Sequence, residues 1–190
     1  MNTNSNFLQA KQHYDKALEL YRQAGNSSEY IEDIKVNLRT LSTSMEILNK
    51  MNEIKEKLST IQIDEIKHSE NKDQVNEIVS LYTDYISLGR EINYLVEKDM
   101  MDTVIEILDE QIKRNEERSK EQGSDIELDG SPSVPIKNTD EELIELKKKK
   151  CSILFDYIYL LYDHYCHNEN KEQLNYASEL CTVIISMWKS

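Results

Sequence analysis

The stretch Asp163-His164-Tyr165-Cys166-His167 places four side chains of metal-binding type within five consecutive residues. On a helix, His164 and His167 share a face because residues three apart are neighbours, and Asp163 lies one turn before His167. Cys166 points away from that face, so a four-ligand zinc site would need a further ligand from elsewhere in the chain. We therefore interpret the cluster as a polar helix end and expect no metal and no cofactor.

A second spacing with chemical meaning is Glu65-x-x-His68. Di-iron helical bundles use this spacing, but they need two such motifs and two further glutamates. The sequence has this motif once, at the predicted end of a helix. It also contains no Gly-rich phosphate loop and no nucleophile elbow. We expect no catalytic residues, and hence a protein that is not an enzyme.

Four consecutive lysines, Lys147 to Lys150, fit two interpretations. A short basic run can act as a nuclear import signal. The run also lies within a predicted helix, between Leu146 and a strongly apolar segment, where lysines normally lie on a solvated face. We favour exposed helical lysines.

The cysteines and the first residues bear on the compartment. Cys151, Cys166 and Cys181 are odd in number and lack a paired spacing, which is typical of reduced, buried thiols in the cytosol or nucleus. Residues 1–6 lack the basic start and the apolar run of a secretory signal. No segment approaches the roughly 18 apolar residues of a membrane span. These observations predict a cytoplasmic protein without membrane insertion, with a nuclear location as the alternative.

The eleven tyrosines are the most informative candidates for binding. Tyrosine has an apolar ring and a polar tip, and it is enriched at protein interfaces. The other interpretation is a set of half-buried helices with tyrosines at the boundary of the core. The candidate partner-binding residues are Tyr82, Tyr85, Tyr157, Tyr159, Tyr162 and Tyr165.

The elements that carry these residues are predicted to be long helices. The chain has only four glycines and two prolines, and both prolines and two of the glycines fall between Gly123 and Pro135. Hydrophobic residues make up 38% of the chain and charged residues 31%, which suits helices with one apolar stripe and a broad charged face. We therefore predict an all-α fold.

Apolar residues recur at three- and four-residue spacing in six segments. The second segment is either one long helix or two helices broken near residues 48–52. A capping box of Thr139 and Glu142 predicts the start of the fifth segment, which contains the densest apolar run of the chain, residues 153–162. The predicted helices cover about residues 6–24, 28–67, 75–95, 99–114, 139–166 and 171–188.

The charge distribution predicts the domain organisation. Residues 115–138 are poor in apolar side chains and contain the Gly and Pro cluster, so we predict a flexible acidic linker. This linker separates N-terminal helical hairpins, residues 1–114, from a C-terminal hairpin, residues 139–190, that packs on the same domain.

The net charge bears on the partner. The formal charge is −13, and residues 99–145 hold fifteen acidic against five basic residues. This acidity argues against nucleic acid as a ligand. We interpret the acidic stretch as a solvated helix end followed by the linker; the alternative is a surface that attracts a protein partner with a basic segment. The oligomeric state stays open.

Two motifs give the chain a resemblance to the tetratricopeptide repeat, a helical hairpin. The spacing of Ala10, Tyr14 and Ala17 resembles that of the second repeat helix. Tyr85-xx-Leu88-Gly89-xx-Ile92 resembles the first, in which the small residue allows a neighbouring helix to pack closely. No 34-residue period runs through the chain. The fold is therefore either a short tetratricopeptide-like array of stacked antiparallel hairpins or an irregular helical bundle.

The resemblance implies a scaffold that binds a partner peptide or helix in a groove between hairpins, without catalysis. The alternative is a structural subunit of a larger assembly, in which the long second helix pairs with helices of other chains as a coiled coil.

Overall fold

The computed structural model describes residues 3–25, 28–124 and 137–189. Within these ranges the chain forms seven α-helices and no strand, which confirms the all-α prediction. The chain divides into two compact units, Met1–Glu56 and Lys57–Ser190. The helices are α1 (Thr3–Gln23), α2 (Ser28–Ser59), α3 (Ile63–Lys67), α4 (Lys72–Glu91), α5 (Lys98–Ser124), α6 (Lys137–Asn168) and α7 (Lys171–Met187).

The N-terminal unit contains α1 and most of α2. The rings of Tyr21 and Tyr30 stack with their centroids 5.8 Å apart, close to the connection between the two helices. Further along, Lys11 of α1 and Leu38 of α2 line a common surface cleft. The predicted stripes along α1 and the first half of α2 are half-buried, because a pair of helices covers only part of each stripe.

The long second helix continues through residues 48–52, so it is not broken at the point where the sequence allowed two helices. It ends instead at Ser59, and the short helix α3 follows after three residues. The predicted helix over 28–67 is therefore interrupted at residues 60–62. Ile66 of α3 is buried, which fixes this short helix to the C-terminal unit.

Helix α6 is the central element of the C-terminal unit, since it packs against α4, α5 and α7. Its neighbours run in different directions. An ion pair joins Lys72 to Glu142 near the start of both helices, and Arg90 pairs with Asp156 further along, so α4 and α6 are parallel.

Helices α5 and α7 run antiparallel to α6. Lys147 and Lys150 of α6 pair with Glu116 and Asp109 of α5, respectively. The Trp188 indole at the end of α7 donates to the Cys151 thiol, at 3.2 Å, near the middle of α6. Helices α6 and α7 therefore pack as an antiparallel pair.

The core of this unit is built from the inner faces of α4 to α7. Several of its side chains are completely or almost completely buried, and the apolar run over residues 153–162 contributes as many of them as residues 101–108 of α5. The most deeply buried are Val79, Ile86, Met101, Val104, Ile107, Leu108, Ile153, Leu154, Tyr157 and Leu160.

The helix boundaries around the predicted linker differ from the prediction. Helix α5 continues to Ser124 and α6 begins at Lys137, so the first ten residues of the predicted linker are helical. Glu, Arg, Lys and Gln are strong helix formers and extend the helix without an apolar stripe. Residues 125–136, which contain both prolines, lie outside the described residues.

The predicted capping box at the start of the fifth segment is wrong. Thr139 lies inside α6, two residues after its start, and the side chains of residues 137–140 are outside the described part. Glu142 instead accepts from the Lys72 ammonium at 2.6 Å. Asparagine side chains cap the neighbouring helices: Asn71 accepts from two amides of α4, and Asn170 from one of α7.

Replacing Gly89 by alanine is expected to destabilise the protein by about 1–3 kcal/mol, the usual cost of overpacking. Gly89 is buried in α4, as the close-packing interpretation of its motif requires. The measurement is urea unfolding followed by circular dichroism, with Ser87→Ala on the exposed face of α4 as control. Helix propensity alone would stabilise both variants slightly, so a more stable Gly89→Ala protein contradicts the packing role.

Candidate functional site

Three aromatic side chains point to solvent from α6, the helix that packs against α4, α5 and α7. Phe155 is 59% exposed, Tyr159 51% and Tyr162 56%. Their spacing of four and three residues places them on one line along α6. We call these three residues the aromatic stripe.

The aromatic stripe lies beside the C-terminal end of α4. The Arg90 guanidinium of α4 sits 5.0 Å from the ring centroid of Tyr159, within range of a cation–π interaction. The same guanidinium forms an ion pair with Asp156, which lies on α6 three residues before Tyr159. The Tyr159 ring is therefore held in place on the surface before any partner arrives.

The structure separates the six tyrosines that the sequence singles out. Tyr82, Tyr85 and Tyr157 are buried in the core, so their rings are not part of the surface. Tyr159 and Tyr162 are exposed, and Tyr165 is half-buried.

Phe155 is the residue of the stripe that sequence reasoning missed. It lies inside the apolar run that predicts the most buried helix, and no local signal distinguishes it from its neighbours. Its position four residues before Tyr159 is the pattern that could have placed it on the tyrosine face.

Two buried tyrosines, Tyr85 and Tyr157, and the half-buried Tyr176 form a hydrogen-bonded network at the end of the bundle where α4 connects to α5. The Tyr85 hydroxyl donates to Glu97 at 2.9 Å, and the Tyr176 hydroxyl donates to Asp102 at 2.8 Å. The Tyr157 hydroxyl donates to the Val96 carbonyl at 3.3 Å. These bonds satisfy polar tips inside the core, which gives the network a structural role.

Burial and nearby carboxylates disfavour the ionised form of these tyrosines. Burial, with a contribution from Asp102, raises the pKa of Tyr157 from 10.0 to about 12. Burial first, and then the hydrogen bond to Glu97, raises the pKa of Tyr85 further. The pKa of Tyr176 is raised by burial and by Asp102.

These pKa values predict loss of stability in alkali. In the unfolded chain a tyrosine ionises near its ordinary pKa of 10.0, whereas the folded protein holds the Tyr157 proton to about 12. The stabilisation is therefore complete below pH 10 and is lost progressively between pH 10 and about 12. Urea unfolding across this window should show a falling midpoint, with a shallower fall for Tyr157→Phe. A midpoint that is constant across the window contradicts the network.

A cleft of about 850 Å³ lies where α4, α5 and the start of α6 meet. Lys72, Val75 and Asn76 of α4 form one wall, and Gln111 and Asn115 of α5 lie between the walls. We call this space the amide cleft, after these two carboxamides. The opposite wall belongs to α6 and consists of Glu141, Glu142, Glu145, Leu146, Lys148, Lys149 and Ser152.

The side chains of the predicted metal-type cluster bind the connection between α4 and α5. The Asn93 carboxamide donates to Asp163, and the Asn93 carbonyl lies 3.0 Å from Nε2 of His164. Nδ1 of His167 contacts the Asp163 carbonyl. Within the described ranges, no group of three or more His, Cys, Asp or Glu side chains is placed to hold a metal ion.

The lysine run does not form an exposed basic face, so that expectation is wrong for part of it. Lys150 is buried and pairs with Asp109, while Lys147 is largely covered and pairs with Glu116. Unlike Lys147 and Lys150, the Lys148 side chain is more than half exposed, at 59%. The run straddles two faces of α6 because four consecutive residues span a full helical turn.

The cysteines also depart from the expectation of buried thiols. Cys151 is buried, whereas Cys166 and Cys181 are exposed. In the part of the chain that the structure describes, no helix has the length and apolar character required to cross a membrane.

No protein-family model matches this chain, and neither a curated protein nor a solved structure matches it. The tetratricopeptide resemblance therefore stays a prediction. Its two motifs fall in different units: Ala10, Tyr14 and Ala17 are half-buried on α1, whereas Tyr85 and Gly89 are buried in α4.

Proposed function

We propose that this chain is a non-enzymatic adaptor that binds a protein partner through the aromatic stripe of α6. The observation that carries the proposal is the exposure of Phe155, Tyr159 and Tyr162 on one line, each more than half accessible. Clustered aromatic side chains are enriched at the centres of protein interfaces, where they supply most of the binding energy.

The surroundings of the stripe support a protein as the ligand. Arg90 contributes a cation beside Tyr159, and arginine shares with tyrosine the highest enrichment among residues that dominate binding energy. The overall formal charge of −13 suits a partner whose docking segment is apolar and flanked by basic residues.

Replacing Phe155 and Tyr159 together by serine is expected to weaken partner binding by at least about 30-fold, the effect of losing one interface hot spot of 2 kcal/mol. The experiment compares proteins captured from cell extract by the wild type and by the double variant, using quantitative mass spectrometry. Captured partners are then titrated individually to measure the affinity ratio.

The matched control for this experiment is Ile185→Ser combined with Leu174→Ser. Both residues are exposed on α7, at 54% and 36%, and lie outside the aromatic stripe. A partner lost with the α6 variant and retained with the α7 variant supports the proposal. Equal loss or equal retention with both variants contradicts it.

A second candidate function, a structural subunit of a larger assembly, is favoured by the N-terminal unit. Its two helices leave large apolar side chains more than 45% exposed, among them Leu8, Leu20 and Val36. Such a surface suits pairing with helices of another chain. Sedimentation at several concentrations separates the two functions, because a subunit with this exposed stripe should self-associate whereas the adaptor stays at one mass.

A further inference from the structure

Three polar side chains lie along one line of α5, at four-residue spacing: Gln111, Asn115 and Ser119. In each of them a side-chain nitrogen or oxygen is buried, and in the described part of the chain it has no hydrogen-bond partner. Nearly all buried polar atoms in folded proteins are paired, so three in a row require an explanation. Gln111 and Asn115 line the amide cleft.

The orientation of the Asn115 carboxamide is fixed by its one partner. Its Nδ2 donates to the Gln111 carbonyl at 2.9 Å, and a carbonyl can only accept. The atom left unpaired is therefore Oδ1, an acceptor, on a residue that is only 5% exposed. The unpaired atom of Gln111, one turn earlier, is Nε2, which is a donor.

A donor and an acceptor one helical turn apart complement a polypeptide main chain, since every peptide unit offers one N–H and one C=O. We propose that the amide cleft binds an extended segment of a partner protein by its main chain. Both atoms are closed to solvent in this structure, so binding requires the side chains that cover them to move aside. A peptide N–H then donates to Asn115 Oδ1, and a peptide carbonyl accepts from Gln111 Nε2. The inference rests on the proposed adaptor function and adds a second docking site to it.

The charges around the cleft favour an uncharged group. Three lysines and three glutamates line it, so their formal charges cancel. Two of these lysines pair within the rim, Lys72 with Glu142 and Lys148 with Glu145. A phosphate or carboxylate ligand would meet no net positive charge here, whereas a peptide group needs none.

The cleft continues into the aromatic stripe. Ser152, at its end, lies on the same face of α6 as Phe155 and Tyr159 because the spacing is three and then four residues. At 1.5 Å per helical residue, Ser152 and Tyr159 are about 10 Å apart, which about three extended residues span. A segment bound in the cleft can therefore reach from Ser152 to Tyr159 with about three further residues.

The first experiment uses N-methylacetamide, which is a single free peptide group, and the ¹⁵N-labelled full-length chain. We expect saturable shifts in the side-chain NH₂ signals of Gln111 and Asn115. N,N-dimethylacetamide lacks the N–H that Asn115 Oδ1 would accept, so its effect should be about tenfold weaker, the loss of one buried hydrogen bond. Equal responses to the two probes overturn the proposal.

Two variants locate the response. Asn115→Leu should abolish the shift at Gln111, and Gln111→Leu provides a second test if the first variant unfolds. The matched control is Gln173→Leu, which removes another carboxamide with a buried unpaired atom, in a separate cleft formed with α7. A control that loses the response as completely as Asn115→Leu contradicts the assignment to the amide cleft.

The second experiment uses acetylated and amidated alanine–serine peptides of one to five residues. Affinity should rise with each added residue, and a terminal tyrosine should add a gain that Phe155→Ser removes. Binding that stops rising after one residue identifies a small amide compound as the occupant and overturns the proposal. A variant that lacks residues 125–136 provides a further check. If this deletion alone, without any probe, shifts the NH₂ signals of Gln111 and Asn115 in the same way, the occupant of the cleft is the chain itself and the proposal is overturned.

The two proposals fail separately. If a captured partner is lost with the Phe155 and Tyr159 variant but binds Asn115→Leu with unchanged affinity, the adaptor function stands and main-chain recognition is wrong. If both variants retain every partner, the adaptor function itself is wrong. Weakening by both variants, together with the N-methylacetamide response, supports both.

Discussion

Replacing Leu160 by alanine should destabilise the C-terminal unit by about 2–5 kcal/mol, the range for truncating a buried leucine. Leu160 has 0% exposure and lies on the helix that packs against three others. Its removal leaves a cavity that several helices would have to move together to fill, so little relaxation is expected. The measurement is urea unfolding at neutral pH. The change in midpoint is multiplied by the wild-type m-value, the slope of unfolding free energy against urea concentration, to give the change in free energy of unfolding.

Two further substitutions calibrate this result. Leu174→Ala on α7 removes the same atoms from a side chain that is 36% exposed, so it should cost less than half as much. Leu58→Ala is the second comparison. Because Leu160 lies in the densest apolar run of the chain and Leu58 does not, we predict that Leu58→Ala lowers the free energy of unfolding less than Leu160→Ala does. Leu58 is itself buried, at 4%, so a cost equal to that of Leu160 would show that burial alone sets the loss and that α6 has no special weight.

Replacing Asp109 by alanine is expected to cost about 1–3 kcal/mol, while Lys150→Met should be neutral or stabilising. The Lys150 side chain is 4% exposed and Asp109 is 53% exposed, so the carboxylate can return to water but the ammonium cannot. Removing the acid strands a buried cation, whereas methionine fills the same space without a charge. Thermal unfolding of both variants measures the asymmetry.

An exposed ion pair on the same helix serves as the control. Lys148 pairs with Glu145 at 2.8 Å, and both side chains are more than half exposed. Lys148→Met should change stability by less than about 0.5 kcal/mol. If Asp109→Ala is as mild as this control, water reaches Lys150 and the pair contributes nothing particular to the core.

The local sequence was sufficient to predict the helices themselves. Helix propensity and the three-to-four spacing of apolar residues depend only on neighbours along the chain. They therefore predicted the all-α fold and a helix over the apolar run that contains Leu160. They did not predict the burial of Tyr157, which the tyrosine pattern had offered as a residue of the binding surface. They missed the extension of α5 to Ser124, because the absence of an apolar stripe was read as the absence of a helix.

The surface and the cleft could not be predicted in this way. Phe155 and Leu154 are adjacent and similarly apolar, yet one is 59% exposed and the other 0%, because α4, α5 and α7 leave one side of α6 uncovered. The burial of Lys150 and Asn115 depends on which helices lie opposite them. Helix formation and the positions that share a face follow from backbone geometry, which depends on neighbours along the chain. Which faces are covered depends on residues distant in the chain, so it became known only from the packing of the helices.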